Sequence, residues 1–144
     1  MNALVLEDEA AIAGIVRSMR TVAVVGIKDE SRPDEPAYSI PAMLAQTGRE
    51  VIGINPKIPR ALGRANLPGV SSLTAAVDVL DVFRRVDAIP ELTDQVLALP
   101  PDRRPKTVWL QSGIRHDASA ERLAAAGLRV VQDRCLGIYA KRYR

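Results

Sequence analysis

Thr21-Val22-Ala23-Val24-Val25-Gly26 is a short apolar run, rich in β-branched residues, that stops at a glycine. It reads as a strand buried on both faces, the kind found inside a parallel sheet. Working outward, the run is flanked by helical patterns. Upstream, Ile12, Ile15, Val16 and Met19 share one helical stripe behind Asp8 and Glu9, and acids favour a helix start. A lead-in amphipathic helix is predicted over about 8–19. Downstream, Ile27 to Glu35 is a polar loop. Ile40, Met43 and Leu44 then fall at helical spacing, with Gly48 placed to end that helix. Pro41 obstructs it unless the helix starts near Ser39, a residue that can cap it.

The alternation continues to the end of the chain. Val51–Ile54 is a second strand, stopped by Asn55-Pro56. Residues 57–72, with Pro59, Gly63, Pro68 and Gly69, form an irregular connection with room for one short edge strand. Val77–Phe83 reads as a third strand, Thr107–Leu110 as a fourth and Leu128–Val131 as a last one. Between them, Ile89, Leu92, Val96 and Leu99 mark one helix with Pro90 in its first turn, and Ala118–Ala126 marks another closed by Gly127. Gln132 to Arg144 gives no clear pattern. Strand alternating with helix implies parallel pairing through right-handed crossovers. The fold class expected is α/β: a Rossmann-like, doubly wound, mainly parallel sheet of five to six strands with helices on both faces.

Bulk composition agrees with that class. The 144 residues are 47% hydrophobic and 3% aromatic, so the core must be built mainly from Val, Leu, Ile and Ala. With no internal repeat or linker, residues 1–144 read as one domain. The net charge of +3 permits an anionic partner, but there is no arginine-rich block or aromatic cluster of the kind that reads nucleic acid. Lys141, Arg142 and Arg144 read as a solvated tail. There is no signal-peptide pattern and no apolar run long enough to span a bilayer, so a cytoplasmic protein is expected, with no membrane partner. A single cysteine, Cys135, excludes an intramolecular disulfide and a cysteine-based zinc site, and no metal site is expected.

In such a sheet ligands bind beyond the carboxyl ends of the strands. The residues that follow the strands are Gly26; Asn55-Pro56-Lys57; Phe83-Arg84-Arg85; Gln111-Ser112-Gly113; and Asp133-Arg134-Cys135. Three of the five clusters carry cations. A nicotinamide dinucleotide site needs three closely spaced glycines after the first strand and an acid after the second, to hold the ribose hydroxyls. Here Gly26 stands alone and the second strand is followed by Asn55-Pro56-Lys57, with no acid. A lysine cannot accept from a diol but pairs with a phosphate. The reading points to a ligand with a phosphorylated ribose, as in coenzyme A (CoA) or NADP.

The order Val22-Ala-Val-Val-Gly26, Arg32-Pro33, Ala37-Tyr38-Ser39, Ile54-Asn-Pro-Lys57, Val79-Leu-Asp-Val-Phe-Arg-Arg85, Val108-Trp-Leu-Gln-Ser-Gly-Ile114 and Val131-Gln-Asp-Arg-Cys135 resembles the stand-alone bacterial CoA-binding domain family. The fold of that family is similar to the CoA-binding N-terminal domain of the succinyl-CoA synthetase α subunit. The resemblance spans roughly Arg20 to Ile138. It implies that Gly26, Ile27 and Lys28 approach the nucleotide backbone, with Arg32 in the loop beyond. Tyr38 and Ser39 would face the pyrophosphate from a helix N-terminus. Lys57, in its Asn55-Pro56-Lys57 motif, would meet a CoA phosphate. Phe83 and Arg84 would line the adenine or pantetheine side, and Gln111, Ser112 and Gly113 would border the pocket. The chain departs from the pattern by inserting Asp34-Glu35-Pro36 before Ala37. With Asp29 and Glu30, that makes four acids in a loop expected near phosphates, where they would repel the ligand.

No catalytic constellation is visible. His116, the sole histidine, reads as a surface loop residue ahead of Asp117, the expected helix cap. Asp78 and Asp81 lie an odd number of residues apart on one strand, so they face opposite sides and make no acid/base pair. Cys135 beside Arg134 is a candidate reactive thiol toward CoA, against the plainer reading of a packing residue. The function expected is binding of CoA or an acyl-CoA without catalysis. The alternative is a subunit or accessory domain of a CoA- or NADP-using enzyme.

Overall fold

The computed structural model describes residues 2–144. Five helices and seven strands follow one another as α1 (Glu9–Ser18), β1 (Thr21–Val25), α2 (Pro36–Gln46), β2 (Glu50–Ile54), β3 (Arg60–Ala61), β4 (Arg64–Ala65), β5 (Val79–Val82), α3 (Ile89–Ala98), β6 (Thr107–Leu110), α4 (Asp117–Ala125), β7 (Arg129–Val131) and α5 (Leu136–Arg142). β1, β2, β5, β6 and β7 form one sheet in the order β2-β1-β5-β6-β7, every neighbouring pair parallel. The doubly wound α/β class expected from the alternation is the one found. Val5 adds a single parallel bridge to Val130 on the outer edge of β7, through Leu6 N–H to Val130 O and Val130 N–H to Leu4 O, both 2.8 Å.

Because both faces of a parallel sheet are covered, the strands alternate between two cores rather than between core and solvent. Ala23, Val25, Leu80, Val82, Val108 and Leu110 pack with Leu92 and Val96 of α3 and Leu123 of α4. Val22, Val24, Val79, Trp109 and Val131 pack with Ile12 and Val16 of α1, Leu44 of α2 and Leu136 of α5. Each Val, Leu or Ile side chain among them contributes about 1.5–3 kcal/mol on removal from water. Trp109 is fully buried; its indole N–H donates to Arg134 O at 2.8 Å and the Tyr139 ring meets it edge-on at 5.4 Å.

Several local expectations are corrected. α2 starts at Pro36 with Glu35 at the N-cap, not near Ser39, and runs through Pro41. Pro41 has no N–H for the Ala37 carbonyl four residues back, and that freed carbonyl accepts from Lys28 N at 3.0 Å. The proline therefore ties the loop after β1 to the helix it leads into. The irregular connection holds an antiparallel pair, β3 and β4. Asp78 lies ahead of β5, not within it. His116 is itself the N-cap of α4, its Nδ1 accepting from Ser119 N at 3.2 Å, while Asp117 is the first helical residue.

The last segment, without pattern in the sequence, is α5. Tyr139 and Tyr143 donate their hydroxyls to Glu9 at 2.7 and 2.6 Å, which joins α5 to α1. Those two donors hold the exposed Glu9 carboxyl below its ordinary range. Lys141 and Arg142, expected in a solvated tail, are exposed but helical: they form the last turn of this helix, and Arg142 reaches Glu9 at 3.6 Å. Among the described residues no helix is long and apolar enough to cross a membrane.

Candidate functional site

Chain progress reverses between β1 and β5: β2 lies to one side, β6 and β7 to the other. A crevice opens where the loops leave such a switch point. It is occupied here by a cavity of about 460 Å³. β1 supplies Val25, Gly26 and Lys28; β2 supplies Ile54, Asn55, Pro56 and Lys57; β5 supplies Phe83, Arg84 and Arg85. Pro68, Gly69 and Val70 close one wall, and Ala88, Leu92 and Gln95 of the α3 region close the other.

Gly26 sits at the throat, at φ 84°. Its N–H donates to Ile54 O at 2.9 Å, and a Cβ on it would collide with the Phe83 carbonyl oxygen. Only a glycine lets β1 and β5 stay this close as they turn apart. Asn55 fixes the next loop. Its Nδ2 donates to Ile27 O and its Oδ1 accepts from Lys57 N, both at 2.9 Å, an Asx turn that presents Lys57 at the rim. Asn55 thus acts on any ligand through the loop it holds. Among the described residues, no Asp, Glu, His, Cys or hydroxyl residue lines the cavity. Among the described residues, Lys28, Lys57 and Arg84 form no ion pair, while Arg85 pairs with Asp87 on the surface at 3.1 Å. The cavity is therefore a cationic pocket with an apolar floor, suited to an anionic, partly apolar ligand.

The structure brings together Gly26, Lys28, Asn55, Pro56, Lys57, Phe83 and Arg84 of the expected site residues and leaves the rest outside the cavity. Ile27 is buried in the core under α2, and its backbone carbonyl is taken by Asn55. Arg32 and Ser39 are exposed elsewhere and Tyr38 is half-buried. The helix N-terminus expected to seat a pyrophosphate carries Glu35, whose Oε2 is buried without a partner. A resident carboxyl there disfavours a phosphate. Gln111 is buried and donates to Asp81 Oδ1 at 2.6 Å. Ser112 and Gly113 are exposed beyond β6, and Gly113 N donates to Asp133 at 2.6 Å. Cys135 packs against the core of α1, α2 and α5, and its neighbour Arg134 reaches back to Gln132 O at 3.0 Å. Neither residue lines the cavity.

The acidic loop also resolves differently from the expectation. Asp29 accepts from Ser31 N, and the Ser31 hydroxyl and N–H hold its carboxyl below the ordinary range. Glu30 accepts from Leu62 N at 2.7 Å, across to the β3–β4 pair. With Asp34 and Glu35, all four acids lie off the cavity. Arg85, named in the sequence with its strand-end cluster, also lines the cavity; Gln95 and the Pro68-Gly69-Val70 wall were not foreseen. Nothing in the irregular 57–72 stretch or in the helical spacing of α3 marked them.

A family model described as "CoA binding domain" matches residues 20–141. YneT of Bacillus subtilis (strain 168) is 27% identical over 131 residues, covering 91% of this chain and 93% of that protein. The solved structure of cell-free ID.343 from Thermus thermophilus is 34% identical with a TM-score of 0.85, over 96% of this chain and all of that one. A part of the dinucleotide forming acetyl-coenzyme A synthetase 1 of Ca. Korarchaeum cryptofilum has the same fold. That match has TM-score 0.63 and 23% identity, covering 77% of this chain and 25% of the synthetase chain.

Proposed function

Because the chain belongs to the CoA binding domain family, we propose that it binds coenzyme A or an acyl-coenzyme A in the cavity at the β1/β5 switch point, and carries out no chemistry of its own. The observation that carries this reading is the lining. Three cations without ion-pair partners, Lys28, Lys57 and Arg84, face a cavity of about 460 Å³ that holds no carboxylate. Phosphates on a ribose satisfy such a pocket, whereas the diol of an unphosphorylated dinucleotide finds no acceptor opposite the Lys57 rim. Phe83, Val70 and Leu92 offer an apolar surface for a base. A cavity of this volume takes the nucleotide end of CoA, with the pantetheine arm leading outward. The lining holds no acid, imidazole, thiol or hydroxyl to serve as base or nucleophile, which favours a carrier or sensor over an enzyme.

A thermal shift assay tests the reading. CoA at a hundredfold excess over its dissociation constant stabilises the fold by about 2.7 kcal/mol through mass action, and the melting temperature rises; NAD at the same concentration leaves it unchanged. A shift with NAD and none with CoA would overturn the proposal.

A further inference from the structure

The opposite edge of the sheet, where the strands begin, carries a second and smaller cavity of about 220 Å³. Arg17 in the last turn of α1, Arg20 just ahead of β1, Arg49 just ahead of β2, and Arg144 beyond α5 line it, with Met19, Thr47 and Gly48 between them. Among the described residues, no carboxylate side chain lines this cavity. Among the described residues, none of the four arginines forms an ion pair.

Arg49 is the anchored member. Its Nη1 donates to the Thr47 hydroxyl at 2.7 Å and its Nη2 to Val16 O at 3.2 Å, while its Nε is shut off from solvent with no partner. Burial, and then the like charge of Arg20, lower its pKa from the ordinary arginine value. It nevertheless stays protonated. α1 and α2 both end here, and the carbonyl end of a helix attracts a cation. That accounts for Arg49 on Val16 O. Arg17 is accounted for by the Tyr143 ring, 5.1 Å from its guanidinium. Neither argument covers Arg20, whose side chain makes no hydrogen bond and no ion pair but stands beside Arg49 with like charge.

We propose that this arginine-lined cavity is a second anion site, which takes a small phosphoryl anion of the size of orthophosphate or diphosphate. A guanidinium fork matches phosphate oxygens in pairs, and an anion between Arg20 and Arg49 converts a repulsion into two charge-assisted contacts. The cavity lies below the volume range of sites for drug-sized ligands, so a whole cofactor does not fit. It sits one strand length from the cationic pocket at the other edge, about 16 Å for the five residues of β1, so the two sites are separate and this proposal does not depend on CoA binding.

Inorganic pyrophosphate is the probe, followed through the backbone amide resonances of the ¹⁵N-labelled full chain. The expected result is a saturable shift at Thr47 and Gly48. Its affinity falls about tenfold or more in Arg20→Gln, an exposed change that removes no intramolecular bond, and is unchanged in Lys57→Gln. Arg49→Lys keeps the charge but loses the fork, and weakens binding in the same direction. Absence of a saturable shift at Thr47 and Gly48, equal affinity in Arg20→Gln, or shifts confined to Gly26 and Lys57 would each overturn the proposal.

Discussion

Asp81→Asn should stabilise this protein at alkaline pH and leave it nearly unchanged in acid. Asp81 lies in β5, paired in register with Val24 of β1 and Trp109 of β6, and it is fully buried. Its Oδ1 accepts from Gln111 Nε2 at 2.6 Å, but its Oδ2 is buried with no partner. Burial pushes its pKa up to about 7, against the smaller opposing effect of the Gln111 hydrogen bond. A free aspartate in the unfolded chain ionises near pH 3.9. Between those two values the folded state holds a proton that the unfolded state has released. Stability from this group is therefore greatest below about pH 4, falls as pH rises to about 7, and is flat above. Three pH units of difference amount to about 4 kcal/mol at full ionisation. Asparagine keeps an acceptor for Gln111 and carries no charge at any pH. Urea unfolding at pH 4.5 and pH 8.5 is the assay. Wild type should lose about 3–4 kcal/mol between the two relative to Asp81→Asn, roughly 10 °C in melting temperature for a domain of this size. Parallel pH profiles for the two proteins, or a variant less stable at pH 8.5, would refute the reasoning.

Gly26→Ala meets a positive φ and the Phe83 carbonyl together, so it should cost at least about 2 kcal/mol in urea unfolding and also weaken ligand binding, because β1 and β5 must part at the throat of the cavity. His116→Ala removes the side chain that caps α4 and should cost about 1 kcal/mol by thermal unfolding, with His116→Asp restoring most of it and neither change altering CoA binding.

The parts of this architecture that were legible in the sequence are those written in the period and the punctuation. The β-branched runs ending at Gly26 and at Asn55-Pro56 located β1, β2 and the turns that carry Lys57, because a buried parallel strand needs an unbroken apolar run and its exit needs a breaker. The apolar run Thr107–Leu110 coincides with β6 at both ends. The polar residues around them were less legible. Asp81 reads as one half of an alternating pattern, yet in a doubly covered sheet either face is interior, so alternation says nothing about exposure. α5 opens with Leu-Gly and has no side-chain cap, and its tyrosines reach Glu9 across the whole length of the chain, a contact no local pattern encodes. The helix N-terminus that looked fit for a phosphate was filled by Glu35, and the reach of Ile27, Gln111 and Cys135 into core rather than cavity depends on which side of the sheet each falls. Lys28, Lys57 and Arg84 met at one cavity because all three follow strand ends at the switch point, which topology alone dictates.

In the proposed complex the nucleotide end of CoA sits in this cavity with its ribose phosphate on Lys57. The most direct measurement is calorimetric titration of wild type and Lys57→Ala with CoA and with 3′-dephospho-CoA. Wild type should prefer CoA by roughly 10- to 100-fold, the value of one charge-assisted contact, and Lys57→Ala should lose the preference while still binding the dephosphorylated compound as before. Equal affinity of wild type for both compounds, or no binding of CoA, would contradict it.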